Sequence, residues 1–149
     1  MIYGTDRRAL RRVFLEAWRK RRRGLPLEPL EERVAAVVAR HPEYHPLLEG
    51  DPEEALDRDW LPEGGQTNPF LHLAFHLALE EQLATGRPPA VAEARRALLL
   101  RGMDPHEAEH RMMDCLAEVL WRAQREGRPE PDPALYEALL RDIAGDPAG

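Results

Sequence analysis

The sequence predicts an all-α protein, a compact single-domain helical bundle of five to seven helices spanning residues 1–149. Three observations carry that expectation. Apolar residues recur at intervals of three and four, so each segment presents an apolar stripe when wound as a helix. Proline opens most of these segments and glycine closes them, because proline at the first helical position loses no hydrogen bond and glycine just past the end adopts positive φ without strain. No segment shows the period-two alternation of a strand.

Taken in order, the first helix is expected from about Asp6 to Arg23, with Leu10, Val13, Phe14, Ala17 and Trp18 as its stripe and Gly24 closing it. The second starts after Glu28-Pro29 and places Leu30, Val34, Val37, Val38 and His41 on one face. Pro42 stops it near His41, since the residue before a proline disfavours helical geometry. HPEYHPLLEG then reads as a tight, proline-broken corner. Asp51-Pro52-Glu53-Glu54 caps a short helix, and PEGGQTN is a loop.

Asn68 caps and Pro69 opens a long helix, NPFLHLAFHLALEEQLATG, whose residues are apolar on nearly every side until Glu80, so it is expected at the centre of the bundle. GRPP leads into a helix over Ala90 to Arg101, ended by Gly102. Asp104-Pro105-His106-Glu107 repeats the cap and proline, starting a helix that runs to Glu126 before Gly127. Its apolar arc is Met112, Met113, Leu116, Val119, Leu120 and Ala123. A last helix follows GRPEPDP and carries Leu135, Leu139, Leu140 and Ile143, with residues 145–149 a frayed tail.

Composition narrows the class of protein. With 43% hydrophobic and 32% charged residues, and no apolar run near the ~18 needed for a bilayer crossing, a soluble protein without a membrane span is expected. The basic N-terminal segment spaces its apolar residues helically and does not gather them as a secretory signal does, which places the protein in the cytoplasm. One cysteine, Cys115, leaves no intrachain disulfide and no multi-cysteine metal site, and reads as a small buried thiol. Arginine supplies every basic residue except Lys20, and proline is abundant, a thermophile-like composition.

The histidines carry the functional signal. All six fall into pairs four residues apart, His41 with His45, His72 with His76 and His106 with His110. Random placement gives only ~0.2 such pairs, and on a helix that spacing sets two imidazoles on one face, ~6 Å apart at Cβ, close enough to share one ion. His72, His76, His106 and His110 are therefore the expected core of a transition-metal site for zinc, iron or nickel, with His41 and His45 at its edge. Glu80, Glu81, Glu107 and Asp114 are candidate carboxylate ligands or a base that would let a bound metal activate water or oxygen. The alternative to a metal is that the histidines bond to carbonyls or carboxylates and fix helix packing, with no cofactor at all.

His106-Glu107-Ala108-Glu109-His110 matches the H-E-x-x-H pattern of zinc proteases. Three features argue against that reading. Glu109 is charged where those enzymes carry an uncharged residue, the motif opens its helix, and no sheet edge offers a seat for an extended peptide.

Taken together, HPEYH, NPFLHLAFHLALEEQ and HEAEHRMMDCLAEVLWRAQ, preceded by FLEAWRK and PLEPLE, resemble the motif blocks of the bacterial domain-of-unknown-function 1841 family over nearly the whole chain. The resemblance implies a small bacterial protein and brings no reaction, cofactor or substrate. It carries onto His41, His45, Asn68, His72, His76, Glu81, Gln82, His106, His110, Cys115 and Glu118 as block residues.

Charge is unevenly spread. Arg7, Arg8, Arg11, Arg12, Arg19, Lys20, Arg21, Arg22 and Arg23 against Glu16 make the first helix +8, leaving −14 on the rest of a chain whose net charge is −6. A basic surface of Arg7, Arg8, Arg11, Arg12, Arg19, Lys20, Arg22 and Arg23 suits an acidic partner or a nucleic acid, the reading for a non-enzymatic interaction protein. An internal partner is also present in Glu49, Asp51, Glu53, Glu54, Asp57, Asp59 and Glu63. The sequence leaves self-association into a homo-oligomer open.

Overall fold

The computed structural model describes residues 7–60 and 68–145. Among them are eight α-helices: α1 (Arg7–Arg22), α2 (Pro29–Ala39), α3 (His45–Glu49), α4 (Pro52–Asp57), α5 (Pro69–Thr85), α6 (Pro89–Leu100), α7 (Pro105–Arg125) and α8 (Pro133–Gly145). A 3-10 turn over Pro42–Tyr44 joins α2 to α3. The bundle is all-α as expected, but eight helices replace the expected five to seven. The additional helix is α3, inside the segment that reads as a proline-broken corner. Pro46 is its second residue, where a missing N–H goes unused, so the ring that ends a helix in mid-span is tolerated at the start of one. Of the other expectations, Asp6, most of the PEGGQTN loop and residues 146–149 lie outside the described residues, while Gly145 is the last residue of α8.

Most helix starts follow the local chemistry. Asn68 Oδ1 accepts the backbone N–H groups of Phe70 and Leu71 at 3.0 and 3.2 Å, and an Asp104 carboxylate oxygen accepts those of His106 and Glu107 at 3.0 and 3.3 Å. Helix ends use glycine where the geometry requires it. Gly102 sits at φ 88°, which lets Met103 N–H reach back to the Leu98 carbonyl at 3.2 Å and close α6.

The chain divides into two compact units, residues 1–77 and 78–149, with the division inside the sequence of α5. In the first unit α1 lies against α2, α3 and α4. Its core is built from Phe14, Ala17, Trp18, Val34, Val37, Val38, Phe70 and Leu73, with the Phe14 and Phe70 rings 6.3 Å apart and tilted by 59°. Val13 and Leu30, expected on buried stripes, are 38% and 51% exposed.

Arg11 reverses its expected place. It is buried at 2% exposure and donates to the carbonyls of Ala55, Leu56 and Arg58 at 3.1, 3.1 and 2.8 Å, satisfying the C-terminal end of α4. Its guanidinium lies 5.1 Å from the ring centres of both Trp60 and Phe70. Desolvation lowers its pKa, yet a guanidinium remains charged in any protein setting. Around it Arg7 pairs with Asp59 at 2.8 Å, Arg8 with Asp57 and Glu53, and Arg22 with Glu49 at 3.7 Å.

In the second unit α6, α7 and α8 pack pairwise. Val91, Leu98, Met112 and Leu140 are fully buried there, and the Tyr136 hydroxyl donates to Gln82 Oε1 at 2.7 Å. Cys115 is buried, and desolvation, followed by the Asp114 carboxylate, pushes its thiol up to about 11. At pH 8 only ~0.1% of it is thiolate, against roughly a quarter of an ordinary thiol. Native protein is therefore expected to react with an aromatic disulfide reagent on the order of 100-fold more slowly than denatured protein. Equal rates in both states would show the thiol to be accessible and unperturbed.

Candidate metal centre

Three histidines converge within the first unit. His41 follows the end of α2, where its N–H bonds to the Val38 carbonyl at 2.9 Å and its Nδ1 lies 2.7 Å from the Val37 carbonyl. A carbonyl only accepts, so Nδ1 carries the ring proton and Nε2 presents the lone pair that a metal needs. His72 and His76 project one turn apart from α5, their ring centres 4.9 Å apart. His41 meets both edge-on, at 5.2 Å from His72 and 4.5 Å from His76.

Each of the three offers a ring nitrogen within 4.8 Å of those of the other two. On a tetrahedral ion with metal–nitrogen bonds near 2.05 Å, neighbouring ligand nitrogens stand ~3.3 Å apart. The set therefore closes on an ion by movements of at most ~1.5 Å, within reach of small χ rotations. His41 and His76 are buried at 1% and 2% exposure, with His41 Nε2 and His76 Nδ1 fully shielded, and His72 is half-buried. Three imidazoles in so dry a setting suit a divalent cation, the species that ring-nitrogen lone pairs bind.

Tyr44 forms one wall. Its ring lies parallel to that of His41, at 2° and 5.7 Å between centres, and edge-on to that of His72 at 5.9 Å. Burial, then the neighbouring Glu43 carboxylate, raises its phenol above the ordinary value, so the wall stays neutral.

The remaining expected residues are placed differently. His45 is engaged elsewhere, its Nε2 2.8 Å from the Val38 carbonyl and its ring stacked 4.5 Å from that of Trp18. His106 is exposed at the start of α7 and His110 half-buried one turn on, with ring centres 4.1 Å apart. Glu81, Glu107 and Asp114 are exposed and Glu80 is half-buried. Among the described residues, neither these carboxylates nor His45 and His106 belong to the metal-capable donor set.

His41 is thus central where the sequence places it at the edge. The signal that could have raised it is the pair His41-Pro42 after a helical run: the proline ends the helix at a residue whose imidazole then folds back on the last carbonyls. The Tyr44 wall has a signal of the same kind in H-P-E-Y.

No helix among the described residues is long and apolar enough to cross a membrane. The sequence model of the family described as Domain of unknown function (DUF1841) matches residues 6–142. Neither the curated proteins nor the solved structures yield a match. With all three converging histidines inside a match that spans nearly the whole chain, this protein belongs to the DUF1841 family.

Proposed function

We propose that the protein binds one divalent transition-metal ion, zinc, iron or nickel, through His41, His72 and His76. The observation that carries the reading is the convergence of three imidazoles on one buried point of the first unit. All three belong to the one metal-capable group of side chains among the described residues.

The donor chemistry sets what such a centre would do. Neutral imidazoles leave the charge of a divalent ion uncompensated, so affinity falls below that of thiolate sites and the ion stays a strong Lewis acid. Held by three histidines alone, the ion keeps an open position where water or oxygen would be activated. Held by four, it is closed and fixes the fold.

A ligand that binds only the folded protein raises its stability by about 4 kcal/mol at a thousandfold excess over Kd. Metal-stripped, untagged protein is therefore expected to melt at least ~8 °C higher in excess zinc, with the gain reversed by a chelator. An unchanged melting temperature with zinc, nickel and ferrous iron would count against the reading. An exchangeable water on the bound metal marks an open three-histidine centre, and its absence marks a closed one.

The second reading, an interaction protein whose basic first helix meets an acidic partner or nucleic acid, draws less support. Arg7, Arg8 and Arg22 already face carboxylates of the same unit, and Arg11 is buried among carbonyls.

A further inference from the structure

We infer that Tyr44 is the positioning residue of the metal centre, fixing the ring planes of His41 and His72 and closing that side to water. The inference rests on the metal-binding reading and extends it to a residue that is not itself a ligand.

The local sequence explains how the ring comes to stand there. His41 caps the turn over Pro42–Tyr44, and the Tyr44 N–H bonds to the His41 carbonyl at 2.9 Å. His41 itself, at φ −124° and ψ 66°, stands just outside the turn, and this bond holds it beside Tyr44 with their rings within 2° of parallel. Pro42 at the first position presets the backbone for this turn.

Two restraints then act on His41. The bond from Nδ1 to the Val37 carbonyl fixes where one ring atom lies, but a ring can still swing about that bond. A flat partner parallel to the face removes the swing, and Nε2 keeps its direction toward His72 and His76. The same tyrosine meets His72 edge-on, at 74°, an arrangement that favours ring over ring. His72 is the least buried of the three converging histidines, so Tyr44 stands where shielding is needed. An aliphatic side chain of similar bulk fills the space without imposing a plane.

Hydrogen-bonded supports of metal ligands cost 10–100-fold in affinity when removed, and a support that acts through ring contact is expected at the lower end of that range. Cobalt(II) alone is the probe, since its visible absorption is intense in four-coordinate imidazole sites and weak once additional waters raise the coordination number to six. Relative to wild type, Tyr44→Leu is expected to bind cobalt about tenfold more weakly, with a fainter band. Tyr44→Phe, which keeps the plane and loses only the hydroxyl, is expected to restore both. Wild-type affinity and spectrum in Tyr44→Leu, with folding intact, would overturn the inference.

Should Tyr44→Leu not fold, wild-type protein provides the test through nuclear Overhauser contacts between the Tyr44 and His41 ring protons. Their presence, with wild-type behaviour in Tyr44→Phe, sustains the assignment and their absence removes it. Wild-type protein that takes up no cobalt at all refutes the metal-binding reading itself, an outcome distinct from equal binding by wild type and variant.

Discussion

His76→Ala is expected to bind zinc ~10²–10³-fold more weakly than the unaltered protein in calorimetric titration, with its helical signal retained. Four-ligand zinc sites release about 10–16 kcal/mol on binding, so one ligand of four carries ~2.5–4 kcal/mol, and each 1.4 kcal/mol is tenfold. His41→Ala is expected to match it. His45→Ala serves as the internal control, because that imidazole is engaged with Trp18 and the Val38 carbonyl. It is expected to leave zinc affinity unchanged while lowering stability. Equal losses in His45→Ala and His76→Ala would mean that the converging histidines have no special part in holding zinc.

The largest effect on stability is expected at Arg11. Arg11→Met keeps an apolar stem beside Trp60 and Phe70 but strips three carbonyls of their donor. A buried acceptor left unsatisfied costs roughly 1–3 kcal/mol, and partial hydration of the loosened α4 end recovers some of that for three together. A loss of about 3 kcal/mol is expected, or roughly 10 °C in melting temperature, for a chain of this size. Arg11→Lys should recover only part of it, since an ammonium lacks the flat guanidinium that lies against the Trp60 and Phe70 rings. Denaturant unfolding measures both variants, and a loss below ~0.5 kcal/mol in Arg11→Met would show that water already serves these carbonyls.

Much of the fold is legible in the sequence because it is written in local chemistry. Pro69, Pro105 and the glycine at 102 mark helix boundaries by backbone rules that need no tertiary context, and the caps at Asn68 and Asp104 form as their side chains dictate. The helix missed, α3, shows the limit of the same rules. His45-Pro46 breaks a helix or begins one depending on which residues come before, and only the 3-10 turn upstream settles it.

The candidate site is legible in kind and less so in membership. Spacing identifies His72 and His76 as a pair on one face, since that is a property of a single helix. His41 joins them from 31 positions away in sequence, and no local pattern reports a distance across the fold. Arg11 is hidden for the same reason, with carbonyl partners 44 to 47 residues further on. A charge among other charges on an amphipathic helix reads as solvated, and its burial follows only from where α4 ends.

Elemental analysis of untagged protein, purified without chelator, tests the central claim most directly. The account predicts about one equivalent of a single transition metal per chain, absent from a folded His41→Ala, His72→Ala, His76→Ala triple variant. Protein that emerges metal-free, and remains so after incubation with zinc, nickel and ferrous iron followed by desalting, would contradict it.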